Sequence, residues 1–256
     1  MGNLKHSGSP WDPGQEESAD ACLAMWKSEA ARARGVRYLE EGMHTFTLRS
    51  GAVVRVYASP YQPEYCDWAF PYERHEDRFN PTPTTPAAQG GKLVGTPEGR
   101  VPNWPEVDVM VTHGPPQGVC DETTHGERAG CGNLLRAAGR ARPRVYCFGH
   151  IHEGWGGGRM MWREAVADTR RGEWHQEVEG KHVREGEEVQ YMDLTKRGGR
   201  GLRWGEETAM VNASIMNVRY RPVQKPWVVD LDLLVKEVDG EGMDGDGENV
   251  MIIGGE

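Results

Sequence analysis

The sequence predicts an α/β (α+β) fold, and three observations carry the prediction. Between residues 107 and 154 an apolar run, a helical stretch and a second apolar run follow one another, the order that places helices on a sheet. Upstream, two β-rich runs flank a glycine-bearing turn, which reads as a hairpin. Downstream, TAMVNASIMN (208–217) and WVVDLDLLV (227–235) read as two further strands.

In chain order, residues 1–18 are polar and rich in Gly and Pro, a loose start. Asp20 to Arg34 carries Leu23, Trp26, Ala30 and Ala33 at helical spacing, so one amphipathic helix is expected there, ended by Gly35. HTFTL (44–48) and AVVRVYASP (52–60) are the hairpin strands around Arg49-Ser50-Gly51. Residues 61–81 are aromatic and charged without a period, and 82–105 form a Pro/Gly/Thr loop. VDVMVTHG (107–114) is a buried strand that closes on Thr-His-Gly. GCGNLLRAAGRARP (130–143) is a helix stopped by Pro143, and VYCFGHIHEG (145–154) repeats the strand-then-loop pattern. Residues 157–206 read as a charged, Gly-rich, partly disordered insertion, and 236–256 as an acidic, Gly-rich, disordered tail. Residues 1–235 are taken as one domain.

Composition excludes several classes. A net charge of −9 argues against a general nucleic-acid binder, which needs a basic face. No apolar stretch approaches the roughly 18–20 residues of a membrane span, and the N-terminus has no apolar core of a secretory signal. Five cysteines without CxxC spacing read as reduced thiols, hence a cytoplasmic location is expected.

Three histidines sit at predicted strand ends: His113 in VTHGPP, and His150 and His152 in FGHIHEG. Strand ends present ligands rigidly, and neutral imidazole binds borderline metals well. In a continuous strand His150 and His152 would face opposite sides. The flanking Gly149 and Gly154 suggest a turn that aims both rings at one place. From spacing alone, two ordinary loop histidines remain an alternative. Cys120 and Cys131 around His125 read as inert thiols rather than a zinc site, and Trp155 as either a stacking or a packing residue.

VTHGPP, then FGHIHEGWG about thirty residues on, then VNAS resemble the calcineurin-like metallophosphoesterase family. The match is nearest to its class III cyclic-nucleotide-phosphodiesterase-like branch with fungal relatives, and YASPYQPEYCDWAF fits the same branch. The resemblance covers residues 36–80 and 106–235. It implies a four-layer αββα sandwich and a hydrolase of phosphodiester or nucleotide phosphate bonds. The family employs two divalent ions (Mn, Fe, Zn or Mg), bridged by a carboxylate, that hold the attacking hydroxide. By motif, His152 would bind one ion, and His113 and His150 the other. Asn212 of VNAS, with Gly114, would face the substrate, although Asn212 could equally be a turn cap.

The family pattern also has DxH, GD and GNH motifs on earlier strands. No D-x-H precedes His113, and Gly2-Asn3 runs into Leu4-Lys5 rather than His. The chain therefore reads as N-terminally truncated relative to the pattern, with the first strands and half of the metal site missing. A fragment, a relative with another role and a partner that completes the site are all open. Accordingly the alternative function is an inactive relative that binds a metal, nucleotide or protein. Loss of interior strands would leave edges unpaired, so marginal stability is expected for the chain alone.

Overall fold

A computed structural model describes residues 19–66, 68–82, 91–162, 172–175, 189–198, 200–235 and 250–253. In chain order its elements are α1 (Ala19–Trp26), α2 (Glu29–Ala33), β1 (Gly42–Thr47), β2 (Val53–Ser59), β3 (Gln62–Pro63), β4 (Pro71–Tyr72), β5 (Glu76–Asp77), β6 (Lys92–Leu93), β7 (Val109–Thr112), α3 (Gly132–Ala141), β8 (Val145–Phe148), β9 (Gly156–Trp162), β10 (Gly172–His175), β11 (Gln190–Asp193), β12 (Glu207–Asn212), β13 (Trp227–Asp230) and β14 (Val250–Ile253). The predicted hairpin forms: β1 and β2 pair antiparallel from Gly42↔Ala58 to Thr47↔Val53, and Gly51 turns the chain with φ +82°.

Seven strands make the main sheet in the order β1-β2-β7-β8-β12-β9-β10. β2, β7, β8 and β12 run parallel, and β1, β9 and β10 are antiparallel to their neighbours. Parallel neighbours need a crossover, and α3 supplies it between β7 and β8. Because strand side chains alternate, Val145 and Cys147 point to one face and Tyr146 and Phe148 to the other. Tyr146 and Phe148 pack with Met110, Met210 and the Leu134, Ala137, Ala138 and Ala141 stripe of α3. On the opposite face Val145, Cys147, Ala209 and Val211 meet Met192, Trp227 and Val229 of a smaller sheet, ordered β11-β13-β14. The result is a mixed α/β fold in which helix, sheet and sheet form three layers among the described residues. Ten of these residues, at 0% exposure, each gain about 1–3 kcal/mol from burial in proportion to size, so the interface between layers contributes much of the stability.

The far end of the sheet is pinned by Asp108, 3% exposed. Its carboxylate accepts from Arg55 N (3.0 Å), Arg55 Nε (2.9 Å) and Arg144 Nε (3.2 Å), which locks the starts of β7 and β8 to β2. With that end fixed, the C-terminal ends of β7, β8 and β12 lie side by side at the other.

The structure differs from the expectations in three places. The helix expected over 20–34 is two helices broken at Lys27-Ser28, because Ser28 accepts from Ala31 N (3.1 Å) and starts a second helix. Met25 and Trp26 are exposed, and α2 buries no residue. Residues 157–162, expected as the start of an insertion, belong to β9 inside the main sheet. Gly157 is required by packing, since a Cβ there would come within 3.0 Å of Trp227 and 3.2 Å of Met210 O. The rest of that stretch contributes β10 and β11, while 163–171, 176–188 and 199 lie outside the described residues. Within 236–256, Val250–Ile253 pairs with β13; the remainder of the expected tail also lies outside, as do the loose start 1–18 and part of the 82–105 loop. No helix among the described residues is long and apolar enough to cross a membrane.

Candidate metal centre

β7 and β8 are parallel and in register from Val109↔Val145 to Val111↔Cys147. The residues that follow each strand are therefore neighbours. His113 N donates to Ser59 O (3.2 Å) and Gly149 N donates to His113 O (2.9 Å), so the ladder continues one step past the strands. His150 then takes a left-handed conformation, φ +69°, and Ile151 N closes on Gly149 O (2.8 Å). A short 3-10 turn follows over His152–Gly154. The His-Ile-His segment is thus a turn, and the alternation of a strand does not apply to it.

The turn brings His150 Nδ1 to 2.9 Å from His113 Nε2, with ring centroids 4.7 Å apart. One nitrogen donates and the other accepts, so at least one proton lies between two rings that both favour neutrality. Loss of solvation, reinforced by His113 and then His152, pushes His150 down to about 4. Loss of solvation, and then the nearby His152, also holds His113 below the ordinary imidazole value. His152 Nδ1 faces Asn217 O at 3.1 Å. A carbonyl only accepts, so Nδ1 carries the proton and Nε2 keeps its lone pair. Gln224 Nε2 fixes the same residue from its backbone, donating to His152 O (2.9 Å).

Asn212, at the end of β12, is fully buried and engaged on all sides. Its Nδ2 donates to Ile151 O (2.8 Å) and Cys120 O (3.3 Å), and its Oδ1 accepts from Ser214 N (3.1 Å). It ties the histidine turn to the 115–131 loop. Gly154 lies in the same joint: a Cβ there would stand 2.0 Å from Cys120 O. Gly114 runs beside the His150 ring, where a Cβ would meet Cδ2 at 4.0 Å, and its carbonyl accepts from Thr112 Oγ1 (2.8 Å). Trp155 packs against Trp227 and donates to Lys225 O (3.1 Å). Cys131 is buried under the Tyr72 hydroxyl (3.0 Å).

The donor chemistry suits one divalent ion. Two imidazole nitrogens on a tetrahedral cation, each about 2.0–2.1 Å away, stand roughly 3.3 Å apart. The 2.9 Å between His113 and His150 is within a few tenths of an ångström of that spacing. Close by, Ser214 Oγ is buried without a hydrogen-bond partner, and a Cβ on Gly149 would lie 3.2 Å from it. Two dications are a different matter, since they need carboxylates to offset their charge. Glu153, next to His152, instead accepts from Thr124 N (2.9 Å) and Thr124 Oγ1 (2.6 Å). Among the described residues no three His, Cys, Asp or Glu side chains close on a common point. Two imidazoles, His113 and His150, therefore stand near the spacing that one ion would need, and the described residues bring neither a third ligand to that point nor the carboxylates a second ion would require.

No family model matches the chain. It is 30% identical over 179 residues to the human and mouse proteins called metallophosphoesterase domain-containing protein 1, a match spanning 69% of this chain and 36% of theirs. The chain is a relative of the metallophosphoesterase-domain proteins. A Caenorhabditis elegans UPF0046 protein is 35% identical over 104 residues, 40% of this chain and 22% of that protein. A probable rhamnogalacturonate lyase C of Emericella nidulans is 30% identical over 150 residues, only 12% of its length. The chain thus spans about a third of the metallophosphoesterase-domain relatives it matches.

For a metallophosphoesterase relative, strand ends plus histidine were readable signals. Others were not read. Tyr65 and Trp68 meet the His150 ring edge-on at 6.1 and 5.6 Å, and Tyr220 meets His152 at 5.6 Å. The 61–81 segment gave no period to place the first two, and Tyr220 lies in a turn without a motif. One signal emerges only in three dimensions. Of six described non-glycine residues with positive φ, Cys66, Phe70, Cys120, His150 and Tyr220 belong to loops that meet at the histidines; Arg142 caps α3 instead. Strained backbone gathers where geometry serves function.

Proposed function

We propose that the chain is the histidine-bearing part of a metal-dependent phosphoesterase, with phosphodiester or nucleotide substrates. The observation that carries it is the 2.9 Å contact between His113 and His150 from adjacent parallel strands, with His152 held in the complementary tautomer. The sequence relationship to metallophosphoesterase-domain proteins supports the same reading. His113 and His150 would hold one Mn, Fe, Zn or Mg ion, and His152 would have to turn toward it to complete the set of three. Such an ion, when bound, polarises phosphoryl oxygens and makes water a better nucleophile at neutral pH.

The chain's own residues do the rest. Burial keeps His113 and His150 neutral, the form that offers lone pairs. Asn212 holds their turn in place, and Gly114 leaves room for a phosphoester beside His150. We place the protein in the class III cyclic-nucleotide-phosphodiesterase-like branch, with that family's four-layer sandwich, and in the cytoplasm, where its free thiols stay reduced. A second reading, a binding module without turnover, is favoured by the engagement of Glu153 with Thr124, which leaves the imidazoles without a carboxylate among the described residues.

Hydrolysis of bis-p-nitrophenyl phosphate with added Mn separates the two readings. The proposal expects turnover that His113→Ala abolishes. A rate equal to that of the variant, with metal still bound, leaves the binding module.

A further inference from the structure

Aromatic side chains stand at both ends of the His-Ile-His pair. Tyr65 and Trp68 meet each other at 5.5 Å, near perpendicular, and both meet His150 edge-on. Tyr220 meets His152 edge-on at an interplanar angle of 86°. Tyr65 is 55% and Tyr220 68% exposed, so beyond their edge contacts with the imidazoles both rings present surface to solvent. The Tyr65 phenol is held above its ordinary value, first by Cys66 and to a lesser degree by Tyr220 and Glu153, which places all three near it.

These rings are held, not loose. The excursion carrying Tyr65 and Trp68 is closed at its base by the β3–β4 ladder, with Gln62 N on Phe70 O (3.1 Å) and Glu64 N on Tyr72 O (2.9 Å). Within it Trp68 N donates to Tyr65 O (3.1 Å). Tyr220 sits at φ +54° in a turn built on Asn217, whose Oδ1 accepts from Arg219 N (2.9 Å) and Arg221 N (3.2 Å). Asn217 O accepts from both Tyr220 N (2.8 Å) and His152 Nδ1 (3.1 Å). The position of Tyr220 is therefore coupled to that of the imidazole. A β-branched or bulky residue at positive φ costs free energy, and the fold spends it to aim a ring at the mouth of the site.

Resting on the phosphoester reading above, we infer that Tyr65 and Tyr220 select substrates whose esterified group carries a flat ring, by stacking that ring beside the imidazoles. Aromatic faces suit any flat ring, so a nucleobase and a simple aryl group share the chemistry. Neither tyrosine needs to touch the phosphoryl group. Both are specificity residues rather than catalytic ones.

The test is a binding titration of the whole chain, read by tryptophan fluorescence and NMR. Four probes are used: phenyl phosphate, adenosine monophosphate, adenosine and methyl phosphate. Ring-bearing phosphates are expected to bind about tenfold more tightly than methyl phosphate, the scale of one stacking contact. Tyr220→Ala and Tyr65→Ala are each expected to cut that ratio several-fold, with methyl phosphate changed less than twofold and Tyr220→Phe retaining the preference. Adenosine monophosphate binding beyond phenyl phosphate would identify the ring as a nucleobase, and equal binding would identify an aryl group. Equal affinity for phenyl and methyl phosphate, or a ratio unmoved by both alanine variants, overturns the inference. Adenosine separates it from the reading beneath: adenosine binding lost in Tyr220→Ala, with no phosphate contribution in any probe, sustains the ring site and defeats the phosphoesterase. If no ring-bearing probe binds, the ring site is refuted whatever the turnover result.

Discussion

Asn212→Ala cuts the joint that holds the histidine turn. The native amide is 0% exposed and makes three bonds: to Ile151 O (2.8 Å), to Cys120 O (3.3 Å) and from Ser214 N (3.1 Å). Its orientation follows from chemistry, because the two carbonyls need donors and the N–H needs an acceptor. Truncation leaves the Ser214 N–H buried and unpaired, costing about 1–3 kcal/mol, whereas the Ile151 carbonyl loses one bond worth about 1 kcal/mol and keeps Gly154 N as a donor (3.1 Å). The longer bond to Cys120 adds less. The expected loss is about 2–4 kcal/mol, a large share of a typical stability of about 5–15 kcal/mol. Urea unfolding should show a lower midpoint with an unchanged slope. Asn212→Asp sharpens the test. It keeps the shape and the acceptor for Ser214, but sets a carboxylate oxygen against two carbonyls. Its pKa is therefore raised in the folded state. The penalty is absent below about 3.9, grows as pH rises and is complete above the folded pKa. Wild-type stability of Asn212→Asp at pH 7, or a loss below about 1 kcal/mol in Asn212→Ala, would refute the role assigned to this residue.

Gly154→Ala should act on the same joint from the other side. Its Cβ would fall 2.0 Å from Cys120 O, so backbone must move; we expect a loss of about 1–3 kcal/mol and weaker Mn binding in calorimetry. Asp108→Ala is the distant control. It strands the buried Arg144 and should cost about 3–5 kcal/mol in urea unfolding without changing divalent-ion affinity at pH 7 in whatever fraction remains folded. The metal-free chain should also lose stability on acidification. His150 sits at about 4 and His113 also below its ordinary value, so the unfolded chain takes up protons first; the contribution of the pair is complete above about 6.5 and is lost as pH falls toward 4. Denaturation across that range should be flatter in His150→Ala than in wild type.

The parts of the fold that sequence made readable are those with a strong local pattern. The β1–β2 hairpin announced itself through branched residues around Gly51, and α3 through a stripe of Leu and Ala bounded by Pro143. β9 was hidden because its reason is tertiary: GGGRMMW looks like a loop until Trp227 and Met192 of the second sheet are seen against Gly157. Its Arg159 is buried because Glu207, 48 residues further along the chain, pairs with it at 3.5 Å, which no local pattern signals. At the site, the strand-end histidines were legible and Gly149 and Gly154 signalled the turn between them, but the way each ring faces was not. That depends on the left-handed turn at His150, which a non-glycine residue does not advertise. Asn212 was expected to face a substrate or cap a turn; the structure gives its amide to Ile151, Cys120 and Ser214.

Zinc or manganese titration of the metal-free chain, read by calorimetry and by the imidazole signals in NMR, addresses the metal centre most directly. The account predicts one ion per chain, with the His113, His150 and His152 resonances shifting together and each alanine substitution weakening binding at least tenfold. An ion that binds equally well to the triple variant, or two ions bound with only one histidine responding, would contradict it.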